Sequence, residues 1–262
     1  MSKTQREAVQ RQFAKTVEHF SKLAVRDSPE ILAEKVDFCR PQATDMALDV
    51  ACGPGTLVLL LASRVKFVRG IDVTLPMLQR ARAFQAEHQV QNACFEQGDA
   101  EQLPYPDGTF DLLTCQCSFH HLSKPEKALR EMLRVLKAEG RIMITDPLGP
   151  ESDAKYELHN QIERLRDRSH TESLRLTTFL QMFDDAGLDV LRQTTKRRQR
   201  SFNDWMRRAG IESHHKRYSE VRQLIESTIE GDTAGFSPQP DGNDLLIVHN
   251  EGLFLLVREQ LA

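Results

Sequence analysis

The chain has 262 residues, with 35 Lys and Arg against 38 Asp and Glu, a formal net charge of −3 and 40% apolar residues, the profile of a soluble globular protein large enough for one α/β domain with a small appended cap. Near-neutral charge removes any global electrostatic argument for a nucleic-acid partner, and no leader-like segment or apolar run of membrane-spanning length is read, so no membrane association is expected. Five cysteines, odd in number and mostly in predicted strands, fit free thiols in a reducing, cytoplasmic setting.

Val9, Phe13, Val17, Phe20 and Ala24 recur at three- to four-residue spacing, which predicts one amphipathic helix over residues 4–25. Ser28 as N-cap and Pro29 in the first turn open a second helix, which Arg40-Pro41 ends. The stretch Leu48-Asp49-Val50-Ala51-Cys52-Gly53-Pro54-Gly55-Thr56 then runs through an acid into two glycines and on into the apolar residues 57–62, the order of strand, tight turn and helix. Gly53 and Gly55 let the backbone turn and let a ligand approach it. Phe67 to Asp72 is a second strand, ending in a carboxylate roughly twenty residues past the glycines, where it can accept hydrogen bonds from ribose hydroxyls. A nicotinamide cofactor fits up to this point. Cys94 to Ala100 adds a third strand with a third terminal acid, Asp99, which the dinucleotide fingerprint does not require, and Val58 stands where that fingerprint wants glycine or alanine. Successive strand ends bearing Asp suit a ligand with an amino group, a ribose and an adenine, which is S-adenosylmethionine.

Thr74 caps a helix through Met77, Leu78, Ala81 and Phe84. Residues 103–108 form a turn, and Phe110 to Cys117 a fourth strand. Cys115-x-Cys117 lacks the further ligands a metal site needs, so no metal is expected. Ser123-Lys124-Pro125-Glu126 reads as a capping box opening a helix with Ala128, Leu129, Met132, Leu133 and Leu136 buried. Gly140 closes it, and Arg141 to Asp146 is strand five. Residues 151–170 read as a charged helix that interrupts the alternation and caps the strand ends. Phe179 to Ala186 is a core helix terminated by Gly187, and Leu188 to Arg198 a further strand. Residues 231–243 read as a loop. Residues 245–248 and 253–257 flank His249-Asn250-Glu251-Gly252 as a hairpin.

The runs Asp49 to Gly55, Gly70-Ile71-Asp72, Gly98-Asp99-Ala100-Glu101, and Phe110-Asp111 through His120-His121-Leu122 together resemble the class I S-adenosylmethionine-dependent methyltransferases, and within them the small-molecule branch related to the ubiquinone/menaquinone-biosynthesis C-methyltransferases. The resemblance is strong over residues 45–146 and weaker to about 210. It implies an α/β, Rossmann-like, seven-stranded sheet ending in an antiparallel hairpin, with N-terminal helices (1–40) as a lid, a binding core (41–150), a helical cap (151–175) and a C-terminal return to the sheet (176–262). The cofactor contacts it implies are Asp49, Ala51, Gly53, Gly55, Asp72, Val73, Met77, Asp99, Ala100 and Cys115, with Val73 and Met77 flanking the adenine. Ala51 departs from the family, which more often has glycine there. Phe13 and Phe20 of the lid would face the methyl acceptor. S-adenosylhomocysteine would be the product.

Methyl transfer from a sulfonium needs nucleophile, methyl carbon and sulfur held in line in a dry pocket, and a base only where the nucleophile carries a proton. His120 and His121, where the fourth strand ends, and His170 in the cap are the candidate bases. Phe119, Arg164 and Trp205 are the candidate acceptor contacts; Arg164 and Arg168 either hold an anionic group or, the preferred reading, lie on a solvated helix face, and Trp205 serves either helix packing or the cap wall. The basic run from Lys196 to Arg200 would be split between two faces by strand alternation and reads as a solvated edge, or else as a contact for an acidic small molecule. The expected activity is methylation of a small aromatic or planar acceptor by a monomer or homodimer. A non-catalytic cofactor-binding regulator, and an RNA or protein methyltransferase, are the alternatives; against the last, Cys115-Gln116-Cys117-Ser118 stands where the amino-methylating branches carry an Asn/Asp-Pro-Pro-aromatic motif.

Overall fold

Leu48, Val50, Leu112, Leu113, Ile142 and Ile144 have no accessible surface, because their strands lie at the centre of a sheet covered on both faces, where near-continuous apolar runs are required. The computed structural model describes residues 1–24 and 29–259, the side chains of residues 19–30 excepted. The expected cap at Ser28 and the side chain of Phe20 lie outside the described residues.

Helices α1 (Lys3–Ala24) and α2 (Pro29–Phe38) lead into β1 (Met46–Val50), α3 (Thr56–Ala62), β2 (Phe67–Asp72), α4 (Leu75–Glu87), β3 (Ala93–Gln97) and β4 (Phe110–Gln116). Then come α5 (Pro125–Val135), β5 (Leu136–Leu148), α6 (Asp153–Arg166), α7 (Leu176–Asp185), β6 (Leu188–Ser201), α8 (Phe202–Arg208), α9 (Lys216–Ser227), β7 (Gln239–Asp241) and β8 (Asp244–Arg258). The strand order is β3-β2-β1-β4-β5-β8-β6, with β7 paired to β8 outside that path. Strands β1 to β5 pair in parallel, and β8 runs antiparallel to β5, β6 and β7. Strand order reverses between β1 and β4, so the chain departs to opposite sides there and leaves a crevice beyond their carboxyl ends.

The seven-stranded α/β reading holds, including its antiparallel end, but that end is built differently. Residues 249–252 are not a turn. They continue β8 without a break, and Gly252 lies extended against Leu148 and Phe254, where a Cβ would come within 2.8 Å of the Phe254 ring. The hairpin turn comes earlier, between β7 and β8, where Gly242 takes a φ of 58°. The capping box is also not formed. Lys124 occupies the N-cap of α5, and the Ser123 hydroxyl instead donates to Glu101 Oε1 at 3.0 Å. Helix α5 stops at Val135 rather than at Gly140, which lies inside β5. Residues 231–243 are less open than expected, because Ala234 and Phe236 are fully buried in a third apolar cluster with Ile162 of α6, Trp205 of α8 and Ile225 of α9. That cluster fastens α6, α8 and α9 together beyond the sheet's crevice.

Gly55 shows how tightly the first turn is built. Its φ is 80°, and a Cβ would lie 2.7 Å from the Phe95 ring and 2.9 Å from Ala81. Both the left-handed backbone and the ring oppose a side chain. Gly55→Ala is expected to lower unfolding free energy by about 2–3 kcal/mol, read as a shift in the urea midpoint without a change in slope.

Candidate functional site

One cavity of ≈ 330 Å³ occupies the crevice, and the residues around it fall into two ends. The first is built by the carboxyl ends of β1, β2 and β4. Asp49, the penultimate residue of β1, is buried and accepts a hydrogen bond from Thr114 Oγ1 at 2.6 Å. Burial pushes its carboxyl up to about 7, against the Thr114 bond and with help from the neighbouring Asp72. Ala51 then turns the chain with a φ of 57°, the left-handed conformation that accounts for the glycine more usual there. The Gly53 N–H donates to Asp72 Oδ2 at 2.9 Å, and the Thr74 N–H to Asp72 Oδ1 at 2.7 Å. Asp72 therefore knits the glycine turn to the start of α4. Burial raises its pKa as well, opposed by these same hydrogen bonds. Val73, Met77 and Ala100 also line this end.

S-adenosylmethionine fits this set. Thr56 Oγ1, Thr74 Oγ1 and Gln116 Oε1 are buried with no hydrogen-bond partner, and all three residues line the cavity. Buried polar atoms of this kind are paired in finished sites, and a nucleoside with an amino-acid tail carries the donors and acceptors they lack. Two buried carboxylates suit a ligand bearing a sulfonium and an ammonium group.

The second end is formed by α1, α2, α6, α8, β6 and β8. At the junction of the two ends, a 3₁₀ turn over Phe119–His121 follows β4. Asp146 of β5 holds this turn, its Oδ2 accepting from the N–H groups of Ser118 and Phe119 at 2.8 and 2.9 Å. Its Oδ1 lies 2.8 Å from His120 Nδ1. With Asp146 accepting a hydrogen bond from the Nδ1–H group, the Nε2 lone pair is left for the cavity. Burial works to lower the His120 pKa, but Asp146, with Glu163 and Asp167 further off, outweighs it and raises the value above the ordinary one. His121 is different. Burial and the charge of His120 bring it down to about 4, its Nδ1 contacts the Ser169 carbonyl at 3.1 Å, and its ring stands edge-on to Phe13 at 5.0 Å. His170 lies 5.4 Å from the His120 ring and contacts Asn160 Oδ1 through Nε2 at 3.1 Å. Burial pushes it well below the usual imidazole range.

Asp49, Ala51, Gly53, Asp72, Val73, Met77, Ala100, the three histidines, Phe13 and Trp205 all line the cavity, and Gly55 stands directly behind the turn. Four expected contacts do not. Phe119 points down from the 3₁₀ turn into the core, 5.7 Å from Phe179. Cys115 sits inside the sheet, paired with Val50 and Ile144. The Asp99 carboxylate is turned away, bound by the Met1 ammonium at 2.8 Å and by Arg6. Arg164 is exposed and donates to the Thr171 carbonyl at 3.2 Å. The helical phase of α6 explains the last, because Ile162, Glu163 and Arg166 share its inner face and Arg164 falls outside it. Arg166 is the cavity residue, its guanidinium 4.6 Å over the Trp205 ring and paired with Glu163 at 3.1 Å. Asp146, Lys35, Glu163, His249 and Glu251 were not expected at the site. Asp146 carried a readable signal, an acid near the end of a predicted strand like Asp49 and Asp72. The others come together only through the fold.

A family model described as a methyltransferase domain matches residues 42–205. Over 198 residues the chain is 33% identical to the protein named uncharacterized methyltransferase YcgJ of Bacillus subtilis (strain 168), covering 76% of this chain and 78% of that one. A demethylmenaquinone methyltransferase of Thermus thermophilus is 39% identical over 113 residues, 42% of this chain and 51% of its own length, so the match spans about half of that relative. Among solved structures, a chain from Bacillus halodurans C-125 superposes with a TM-score of 0.82 at 28% identity, covering 88% of this chain and 100% of the other. With the sheet order, the glycine turn and the strand-end carboxylates in place, these matches establish that the chain belongs to the class I S-adenosylmethionine-dependent methyltransferase family.

Proposed function

We propose that this protein moves a methyl group from S-adenosylmethionine to a small-molecule acceptor, and that His120 takes the acceptor's proton. The observation that carries this reading is the His120–Asp146 pair, set in the same cavity as the glycine turn and Asp72. When bound, S-adenosylmethionine supplies an electrophilic methyl group on a positively charged sulfur. Asp49 would hold its amino group, Asp72 its ribose hydroxyls, and Val73 and Met77 the faces of its adenine. Phe13 and Trp205 would wall the acceptor and exclude water, which concentrates the catalytic effect in positioning. His120 Nε2 is the proton's destination, and Asp146 fixes the ring and its tautomer. His121 and His170, both neutral at physiological pH, would position His120 and close the wall behind it. The segment 151–175 would act as the cap of this chamber. A small, planar acceptor accords with the demethylmenaquinone methyltransferase relative, and an open chamber beside the cofactor end favours an enzyme over a binding-only regulator.

The test is calorimetric titration with S-adenosylmethionine and S-adenosylhomocysteine on protein stripped of ligand. Both are expected to bind, and Asp72→Ala is expected to weaken each by about 10- to 100-fold, the worth of charge-assisted hydrogen bonds in a buried site. Unchanged affinity in that variant would remove Asp72 from the site.

A further inference from the structure

We propose that the methyl acceptor is an anion, a small molecule whose carboxylate or phosphate group is held by Arg200 with Arg198. The inference rests on the methyl-transfer reading above and names the substrate class of that site.

Strand β6 carries the argument. Alternation places Lys196, Arg198 and Arg200 on one face, opposite Glu251, His249 and Ile247 of β8 in the register. Each of the three meets a different fate. Lys196 pairs with Glu34 of α2 at 2.6 Å. Arg198 Nε pairs with Glu251 Oε2 at 2.8 Å, but the other oxygen of that carboxylate already accepts from Lys35 at 2.9 Å. One carboxylate is thus shared between two cations, and Arg198 Nη2 is left buried with no partner. Arg200 lines the cavity and, among the described residues, its side chain has no hydrogen bond or ion pair, with Glu251 and Glu163 acting on it only through their charge.

The remaining carboxylates on this side do not balance it. Glu163 is engaged by Arg166 and by His249 Nε2, and Asp167 by the N–H and hydroxyl of Ser169 at 2.8 and 2.7 Å. Burial disfavours the charged form of Arg200, and a guanidinium does not shed its proton in a protein, so a cavity cation of this kind calls for a counter-ion. A guanidinium offers two parallel N–H groups that match a carboxylate or phosphate edge. The cavity is therefore bipolar, with Asp49 and Asp72 facing a cationic cofactor at one end and Arg198 and Arg200 facing the acceptor at the other. His120 stands between them.

The experiment uses the full chain loaded with S-adenosylhomocysteine and a set of matched probes: benzoate against benzamide, indole-3-acetate against indole-3-acetamide, and phenyl phosphate against phenol. Trp205 is the single tryptophan and lines the cavity, so its emission reports occupancy of the acceptor end beside the calorimetric heat. At least one anion is expected to bind tenfold or more tighter than its neutral partner, and the preferred pair separates carboxylate from phosphate. Arg200→Met is expected to abolish that preference and Arg200→Lys to retain part of it. The melting temperature of unliganded Arg200→Met is expected to be no lower than that of the wild type, where a structural arginine would show a loss. Equal binding of acid and neutral probe, no anion binding at all, or an anion preference that survives in Arg200→Met would overturn the proposal. Failure of the wild-type chain to bind S-adenosylhomocysteine would strike the methyl-transfer reading instead, and the same probes would still test Arg200 in the unliganded cavity.

Discussion

His120→Ala is expected to slow methyl transfer to a proton-bearing acceptor by about 10²- to 10⁴-fold, the usual contribution of a positioned general base, while S-adenosylhomocysteine affinity stays unchanged. The three histidines of the cavity are separated by their surroundings. His121, near 4, and His170, well below its ordinary value, stay neutral across the neutral range and put no limb on a pH profile there. His120 alone among them is raised, because Asp146 at 2.8 Å, with Glu163 and Asp167 beyond, outweighs burial. Since only neutral imidazole accepts a proton, the rate in wild type should climb with pH through a value above 6.5 and then level. Asp146→Asn removes the charge that raises it. Its limb should move to lower pH, and its plateau should fall because the ring loses its enforced tautomer. A pH–rate profile on any acceptor found among phenols, quinols, amines and thiols decides the matter. A limb near neutrality that persists in His120→Ala at saturating S-adenosylmethionine, where the ionisation of Asp49 no longer limits cofactor binding, would remove His120 from the role.

The cofactor end was legible because it is local. Asp49, Ala51, Gly53 and Gly55 lie within seven residues of chain, and Asp72 follows at the end of the next strand, so one turn and one strand pairing bring them together. Local chemistry dictates local geometry here: the positive φ of Gly53 and Gly55 is what glycine permits. The acceptor end had no such shortcut. Lys35, Arg166, Arg198, Arg200 and Glu251 come from four elements scattered over more than two hundred residues, and only the antiparallel β6–β8 register sets Arg198 beside Glu251. Alternation correctly divides the basic run, since Arg198 and Arg200 face the cavity and Arg197 the opposite side, but it does not say which face is inside. The predicted strand also ended at Arg198, whereas β6 continues to Ser201 and carries Arg200 into the wall. Arg164 illustrates the same limit for a helix, because a charged helix with few apolar residues gives a weak phase, and a two-residue error moved the contact from Arg166 to its exposed neighbour. Asp99 reads as a strand-end acid like the others, yet Met1 and Arg6, over ninety residues earlier in the chain, hold its carboxylate, a contact that periodicity does not register.

Asp49→Asn is expected to stabilise the unliganded protein while impairing its use of cofactor. A carboxyl pushed from 3.8 to about 7 in the folded state binds its proton more tightly folded than unfolded. Unfolding then releases protons between those values, so the folded state loses stability as pH rises from about 4 to about 7 and recovers none of it above. At about 1.4 kcal/mol for each tenfold change in proton affinity, the ionised carboxylate costs roughly 4 kcal/mol at pH 8. Asparagine is uncharged and keeps an oxygen for the Thr114 hydroxyl, which approaches Asp49 at 2.6 Å, but its amide N–H₂ needs acceptors that the buried site supplies poorly. A net gain of about 2 kcal/mol at pH 8, falling to nothing near pH 4, is the expected result of urea titrations at the two pH values. The same substitution removes one of two negative charges that face a cationic cofactor, so S-adenosylmethionine should bind at least tenfold more weakly to Asp49→Asn at pH 8, and wild-type affinity should rise with pH between 5 and 8 as Asp49 ionises. An Asp49→Asn variant that is no more stable at pH 8 would show that the carboxylate is solvated or paired in the unliganded chain. One that is more stable but binds cofactor unchanged would place the cofactor's amino group elsewhere. Both effects together would identify Asp49 as a residue whose buried charge is costly to the empty protein and is offset only when a cation arrives.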